Sequence, residues 1–189
     1  MKVEIEIKLR LTRRPSEVQK RLRDLGFGLH KRRAFESNIL FDNRKRSLRK
    51  HGRLLRVRRV DGHGLLTFKG PSEASRYKKR WEIEMPVDDS EGISAIFEHL
   101  GYHPVFRYEK FRTEYEARTG GKVMVDETPI GNFLELEGSP RWIDRTARLL
   151  GYSAGDYINR SYGYLYLAYC RERRMRPKNM VFGKRAGKA

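Results

Sequence analysis

From Lys2 to Leu11 the chain alternates without a break: Val3, Ile5, Ile7, Leu9 and Leu11 are apolar, and Lys2, Glu4, Glu6, Lys8 and Arg10 are charged. A period of two is the signature of a strand with one buried face. The pattern returns along the chain. Arg56 and Arg58 oppose Leu55 and Val57, and Thr67 and Lys69 share one side of Leu65–Lys69. Arg80, Glu82 and Glu84 oppose Trp81, Ile83 and Met85, while Lys110, Arg112 and Glu114 oppose Phe111 and Tyr115. Asp126 alternates with Val123 and Val125, and Glu135 and Glu137 with Leu134 and Leu136. Asp61-Gly62 is a hairpin signal and Gly120-Gly121 a turn. About eight strands follow, and hairpin links make the sheet antiparallel.

Helices punctuate the strands. Pro15 to Leu25 carries Val18, Leu22 and Leu25 as a stripe before Gly26. Asp88 and Asp89 offer caps for a helix through Leu100, with Ile93, Ile96, Phe97 and Leu100 as its stripe. Ser139-Pro140 opens a helix ending near Gly151, and Asp156 to about Arg173 reads as helical and tyrosine-rich. The length of 189 residues suits one domain, placed at residues 1–170. Residues 171–189 hold eight Lys or Arg against one Glu and read as a disordered basic tail.

The charged strand faces have two destinations. They face water, the apolar faces covering a core, or they face one another inside a closed barrel. The helical stripes need apolar partners, which the apolar strand faces supply. A barrel interior of mixed charge must hold something, because unpaired buried charge is costly. Clustered carboxylates suit Mg²⁺ or Mn²⁺, and rows of Arg and Lys suit phosphate oxygens. Both together suit a metal-bridged di- or triphosphate. The net charge of +18 also calls for an anionic partner, but carboxylate rows would repel a nucleic-acid backbone. Nucleic acid is therefore expected only through the basic tail. Cys170 is the single cysteine, which excludes an intrachain disulfide. No apolar run reaches membrane-spanning length, and the reading is a cytoplasmic protein.

Glu4-x-Glu6-x-Lys8 on a first strand resembles the ExExK motif of the CYTH superfamily, the triphosphate tunnel metalloenzymes. Leu55-Arg56-Val57-Arg58 resembles the paired-arginine strand of that family. Thr67-Phe68-Lys69-Gly70-Pro71 resembles its lysine strand, and Arg80-Trp81-Glu82 its central strand. Leu100 to Phe106, then Glu109-Lys110-x-Arg112, is similar to the class IV adenylyl cyclase branch. Asp126 with Phe133-x-Glu135-x-Glu137 resembles the late acidic strands, and Ser161-Tyr162 a C-terminal element. The series covers roughly residues 1–170. Asn38 departs from the pattern, standing where an acid is common.

The resemblance implies an α+β fold, an eight-stranded antiparallel β-barrel (a triphosphate tunnel) with helices packed outside. It implies phosphate contacts, and so catalytic roles, for Lys8, Arg56, Arg58, Lys69, Lys110 and Arg112, with Arg80 also binding substrate. It implies Glu4, Glu6, Glu82, Asp126, Glu135 and Glu137 as ligands to Mg²⁺ or Mn²⁺. The implied substrates are ATP, inorganic triphosphate or thiamine triphosphate. Attack by a ribose 3′-hydroxyl would make cyclic AMP and pyrophosphate; attack by water would make a triphosphatase. The cyclase reading is preferred on Leu100–Arg112. A non-catalytic polyphosphate- or RNA-binding module is the weaker alternative. The expected assembly is a monomer or homodimer, with no membrane partner. Tyr162, Tyr164 and Tyr166 read as packing residues.

Overall fold

A computed structural model describes residues 2–118 and 120–183. Eight strands form: β1 (Lys2–Arg10), β2 (Gly28–Asp42), β3 (Leu54–Val60), β4 (His63–Lys69), β5 (Lys78–Val87), β6 (His103–Glu116), β7 (Lys122–Thr128) and β8 (Gly131–Glu137). They close into an antiparallel barrel in the order β1-β5-β4-β3-β2-β6-β7-β8. Closure depends on β1, whose residues 2–6 pair with β5 and whose residues 6–10 pair with β8. The β3–β4 hairpin turns at Asp61 and Gly62, both at positive φ (48° and 82°), as a tight hairpin of matching twist requires.

Register fixes which face points inward. Lys8 pairs with Glu135, Glu4 with Arg80, Lys69 with Glu82, Arg56 with Thr67, Asn38 with Arg58, Glu36 with Lys110, and Arg112 with Asp126. The charged faces thus meet inside, and a one-residue slip of any strand would exchange them for apolar side chains.

The apolar faces point out and are covered by helices. Helices α1 (Pro15–Asp24) and α4 (Pro140–Leu149) bury Val18, Leu22, Ile143 and Ala147 against Ile7, Leu9, Val123, Val125, Leu134 and Leu136. Fully burying such side chains stabilises by roughly 1.5–3 kcal/mol each. Helix α2 (Ser47–Lys50) is a single turn between β2 and β3. Helix α3 (Ser90–His99) lies over β3 and β4, with Phe97 edge-on to Phe41 at 5.3 Å. Its expected stripe is only half used: Ile96 and Leu100 stay exposed, and a cavity of about 380 Å³ lies between α3 and the barrel's outer wall. That cavity is lined by Ile39, Val57 and Ser94 among others and sits outside the charged interior.

The C-terminal region differs from its expected form. Residues 154–156 make a short 3₁₀ turn, the chain then runs extended so that Ile158 bridges Lys8, and α5 spans Tyr162–Glu172 with Ser161 as its cap. The residues beyond α5 cross β6: Met180 donates to Arg107 O and accepts from Glu109 N, and its side chain is fully buried. Over residues 103–110, β6 has no β7 partner, so the returning chain takes up its free backbone groups. This packed course departs from the expected disordered tail, and its cause is local: Met180 and Phe182 are apolar anchors in a basic stretch. Residues 184–189 of that tail lie outside the described residues. Among the described residues no helix is long and apolar enough to cross a membrane.

Candidate active site

The barrel interior is built from strand residues two apart. Glu4, Glu6, Lys8, Arg56, Lys69, Glu82, Lys110, Arg112, Asp126 and Glu135 are all buried, and Arg58 and Arg80 are half-buried. The interior therefore unites the expected cations and carboxylates on one surface. Glu137 sits at the rim, bonded to Lys2 at 2.7 Å.

The charges form linked groups. Lys69 bridges Glu4 (2.5 Å) and Glu82 (2.7 Å). Lys78 holds Glu6 at 2.8 Å, while Lys8 lies 3.4 Å from Glu6 and 3.3 Å from Glu135. Arg112 binds Asp126 in fork geometry (2.7 and 2.6 Å) and reaches Glu135 at 2.6 Å. Asp126 also accepts from Lys110 (2.9 Å) and from the Tyr162 hydroxyl (2.6 Å). Arg56 contacts Tyr108, Thr67 and Glu84 at 3.2, 3.1 and 3.5 Å. Arg58 donates to Asn38 Oδ1 at 3.0 Å and lies 3.5 Å from Glu36.

These groups set the protonation of the site. Burial opposes ionisation of Glu6, yet Lys78 and Lys8 hold its carboxyl well below the usual range. Glu135 is held low likewise, burial being outweighed by Arg112 and Lys8. Glu4 goes the other way: burial and the neighbouring Glu6 push its carboxyl up. Burial brings Lys78 down to about 8, with Lys8 and Arg80 adding repulsion.

Four buried side-chain atoms among the described residues lack a hydrogen-bond partner: Glu36 Oε2, Asn38 Nδ2, Arg56 Nε and Arg80 Nε. Three are donors on lumen-facing positions. Buried polar groups left unpaired cost about 1–3 kcal/mol each. A wall with spare donors fits an oxygen-rich anionic ligand. A cavity of about 260 Å³ opens at the β3–β4 hairpin end, lined by Glu36, Arg58, Arg112, Glu114 and Lys31 among others. The opposite end is covered by α5, whose Tyr162 lies under Lys8 and Lys110 at 5.1 and 5.4 Å.

The carboxylates match a hard divalent cation in type. Glu4 feels repulsion from Glu6 and Glu82, and Glu6 from Glu135, which is the electrostatic setting a cation relieves. In this structure ammonium groups take that role, and among the described residues no three acidic, histidine or cysteine side chains form a ready cage. The oxygens of Asp126, an expected metal ligand, accept from Arg112, Lys110 and Tyr162 in this structure.

Sequence reasoning passed over Glu36, Lys78 and Tyr108. Lys78 extends the Arg80-x-Glu82-x-Glu84 alternation by one step, and Glu36 stands two before Asn38 on β2, so period two alone would have found both. Tyr162 is more than a packing residue, through its bond to Asp126.

Residues 2–162 match the CYTH domain family. A Methanocaldococcus jannaschii protein named "Putative adenylate cyclase" is 33% identical over 148 residues, covering 78% of this chain and 83% of the relative. A structure of a putative adenylate cyclase from Vibrio parahaemolyticus superposes with a TM-score of 0.74 at 20% identity, covering 87% of this chain and 97% of its own. A Hippeastrum protein, described as a putative adenylyl cyclase with a dominant triphosphatase activity, superposes at 0.69 and 16% identity, covering 89% and 96%.

Proposed function

The chain belongs to the CYTH domain family, and from that premise we propose that it is a metal-dependent enzyme that binds a triphosphate inside its barrel and converts ATP into cyclic AMP and pyrophosphate. The observation that carries the proposal is the lumen wall of buried donors without a hydrogen bond, Asn38 Nδ2, Arg56 Nε and Arg80 Nε (the last 3.9 Å from Glu4), beside Arg58, Lys69 and Arg112. Arginine forks grip two phosphate oxygens at once, and lysine ammonium groups act as point charges.

Lys8, Arg56, Arg58, Lys69, Arg80, Lys110 and Arg112 would hold phosphate oxygens. Asp126 would keep Arg112 and Lys110 aimed through its bonds to both. Glu4, Glu6, Glu82 and Glu135, with Glu137 at the rim, would hold a divalent cation of the Mg²⁺ or Mn²⁺ class. When bound, such an ion polarises phosphoryl oxygens and offsets charge that develops on the leaving group. A triphosphate brings several negative charges to a lumen that already holds carboxylates, so Lys69 and Lys78 would turn from Glu4 and Glu6 toward phosphate. In the cyclase reaction the ribose 3′-oxygen forms a bond to the α-phosphorus, the α–β bridging bond breaks, and the hydroxyl proton leaves to solvent or base.

The 33% identity to the M. jannaschii protein supports the cyclase reading. The description of the Hippeastrum protein supports a second one, hydrolysis of inorganic or thiamine triphosphate in the same lumen. Incubation with ATP, inorganic triphosphate and thiamine triphosphate, each with Mg²⁺ or Mn²⁺, separates the two by ³¹P NMR. Cyclic AMP with pyrophosphate is the expected product. Orthophosphate alone would transfer the assignment to hydrolysis, and inertness toward all three would overturn the proposal.

A further inference from the structure

The loop joining β2 to β3 carries Arg44, Lys45, Arg46, Arg49, Lys50 and Arg53, and every one of them is exposed. None makes an ion pair among the described residues. Six like charges within ten residues repel one another, so a flexible loop would splay. This one is fixed. The buried Asp42 carboxylate accepts from the backbone N–H of Asn43 (2.8 Å), Leu48 (3.0 Å) and Arg49 (3.0 Å). The Asn43 side chain bonds Ser47 in both directions at 2.7 and 3.0 Å, and Leu48 is buried as an anchor. The acid that could neutralise the loop is thus spent on its backbone, and the cations are held outward in a set arrangement.

Position separates this loop from substrate entry. It lies at the barrel end where β2 finishes and β3 begins, the end covered by α5. The open mouth is at the other end, about 20–25 Å away at strand rise for a seven-residue strand. Most cations near that mouth are paired: Lys31 with Glu114, Arg59 with Glu91, and Lys2 with Glu137. A surface built to steer a triphosphate inward would place free cations at the mouth. Of the cations lining that mouth cavity only Arg32 has no ion pair among the described residues, against six on the closed-end loop.

A second basic segment reaches the same region. Arg173, Arg174, Arg176 and Lys178 follow α5, are exposed, and make no ion pair among the described residues. The chain then crosses β6 at Arg107, about 14 Å along the strand from His103, which pairs with Asp42 at the base of the loop. Fixed loop and returning segment present a basic face whose exposed large apolar side chains are Met175 and Val181, both on the returning segment.

We propose that this face binds the phosphodiester backbone of a single-stranded nucleic acid, at a site separate from the lumen. Repeated phosphates match repeated, unpaired guanidinium and ammonium groups. A single strand is favoured over a duplex because the loop's only helix is four residues long, too short to enter a groove. Anionic membrane is disfavoured because the loop presents no side chain to insert and the returning segment offers only two exposed large apolar side chains, Met175 and Val181.

The test is fluorescence anisotropy of the full chain with a labelled single-stranded RNA of about 20 nucleotides across a salt series. The expected result is binding whose log K falls with log salt by about 0.7 per phosphate contact. Arg49→Glu/Lys50→Glu/Arg53→Glu should weaken binding at least tenfold, and the milder Arg44→Gln/Lys45→Gln should reduce the salt slope. Lys31→Glu/Arg32→Glu at the open mouth should leave affinity unchanged, and triphosphate turnover should be unaffected by the loop changes. Three results would overturn the proposal: no binding by the wild-type chain at low salt, loop variants that bind like wild type, or loss of binding through the mouth variant. Binding of anionic vesicles through the loop without RNA binding would also overturn it.

Discussion

Arg112 shows how one side chain organises the interior. It is buried, forks onto Asp126 and also reaches Glu135, so removing it takes the guanidinium from two buried carboxylates and leaves Asp126 to Lys110 and Tyr162 and Glu135 to Lys8. Arg112→Ala should destabilise the fold by about 3–5 kcal/mol in denaturant unfolding, whereas Glu6→Gln should retain the fold and lower turnover at least ~10²-fold. Wild-type turnover in Glu4→Ala and Glu6→Ala would contradict the carboxylate assignment. The acids also set a pH dependence. Glu6 and Glu135 have folded values held well below the ordinary 4.5, so they contribute stability above that pH and lose it as pH falls through their folded values. Glu4 is raised and opposes this in part. The melting temperature should therefore drop as pH is lowered below about 4.5; a melting temperature that rises instead would contradict the pairing. At this scale most cations and acids were legible from alternation, because a strand's period of two places them without knowledge of the fold. What each residue touches was not. Asp126 reads as a metal ligand by position in the chain, and only the barrel brings Lys110, Arg112 and Tyr162 to its oxygens.

Among the elements, the strands were the legible ones and the C-terminal segment was not. Strands β1, β3 and β8 announce themselves by alternation. The segment after α5 has no periodicity, and its order comes from tertiary contacts: Met180 fills the cluster of Tyr108, Phe133, Tyr162 and Tyr166 while its backbone completes the edge of β6. Met180→Ala should cost about 2–5 kcal/mol in denaturant unfolding, and truncation after residue 174 should lower the melting temperature further by exposing that edge. An unchanged melting temperature in both would mean that the segment is not part of the folded core. Helix α5 acts through its first residue. Tyr162→Phe removes a hydrogen bond to a buried carboxylate, an effect of about 1.5–3 kcal/mol.

For the molecule as a whole, inside and outside exchange their usual contents. Apolar side chains line the outer wall under α1 and α4, and the charges line the lumen. Such an interior is costly to assemble, since its charges are desolvated and three of its donors lack a hydrogen bond. A bound triphosphate would stabilise the fold by mass action. The most direct measurement is calorimetric titration of inorganic triphosphate into the wild-type chain and into Arg56→Met and Arg80→Met, with unfolding curves recorded on the same samples. Each variant should stay folded and bind at least tenfold more weakly. Variants that remain folded and bind triphosphate as tightly as wild type would contradict a ligand site within the barrel.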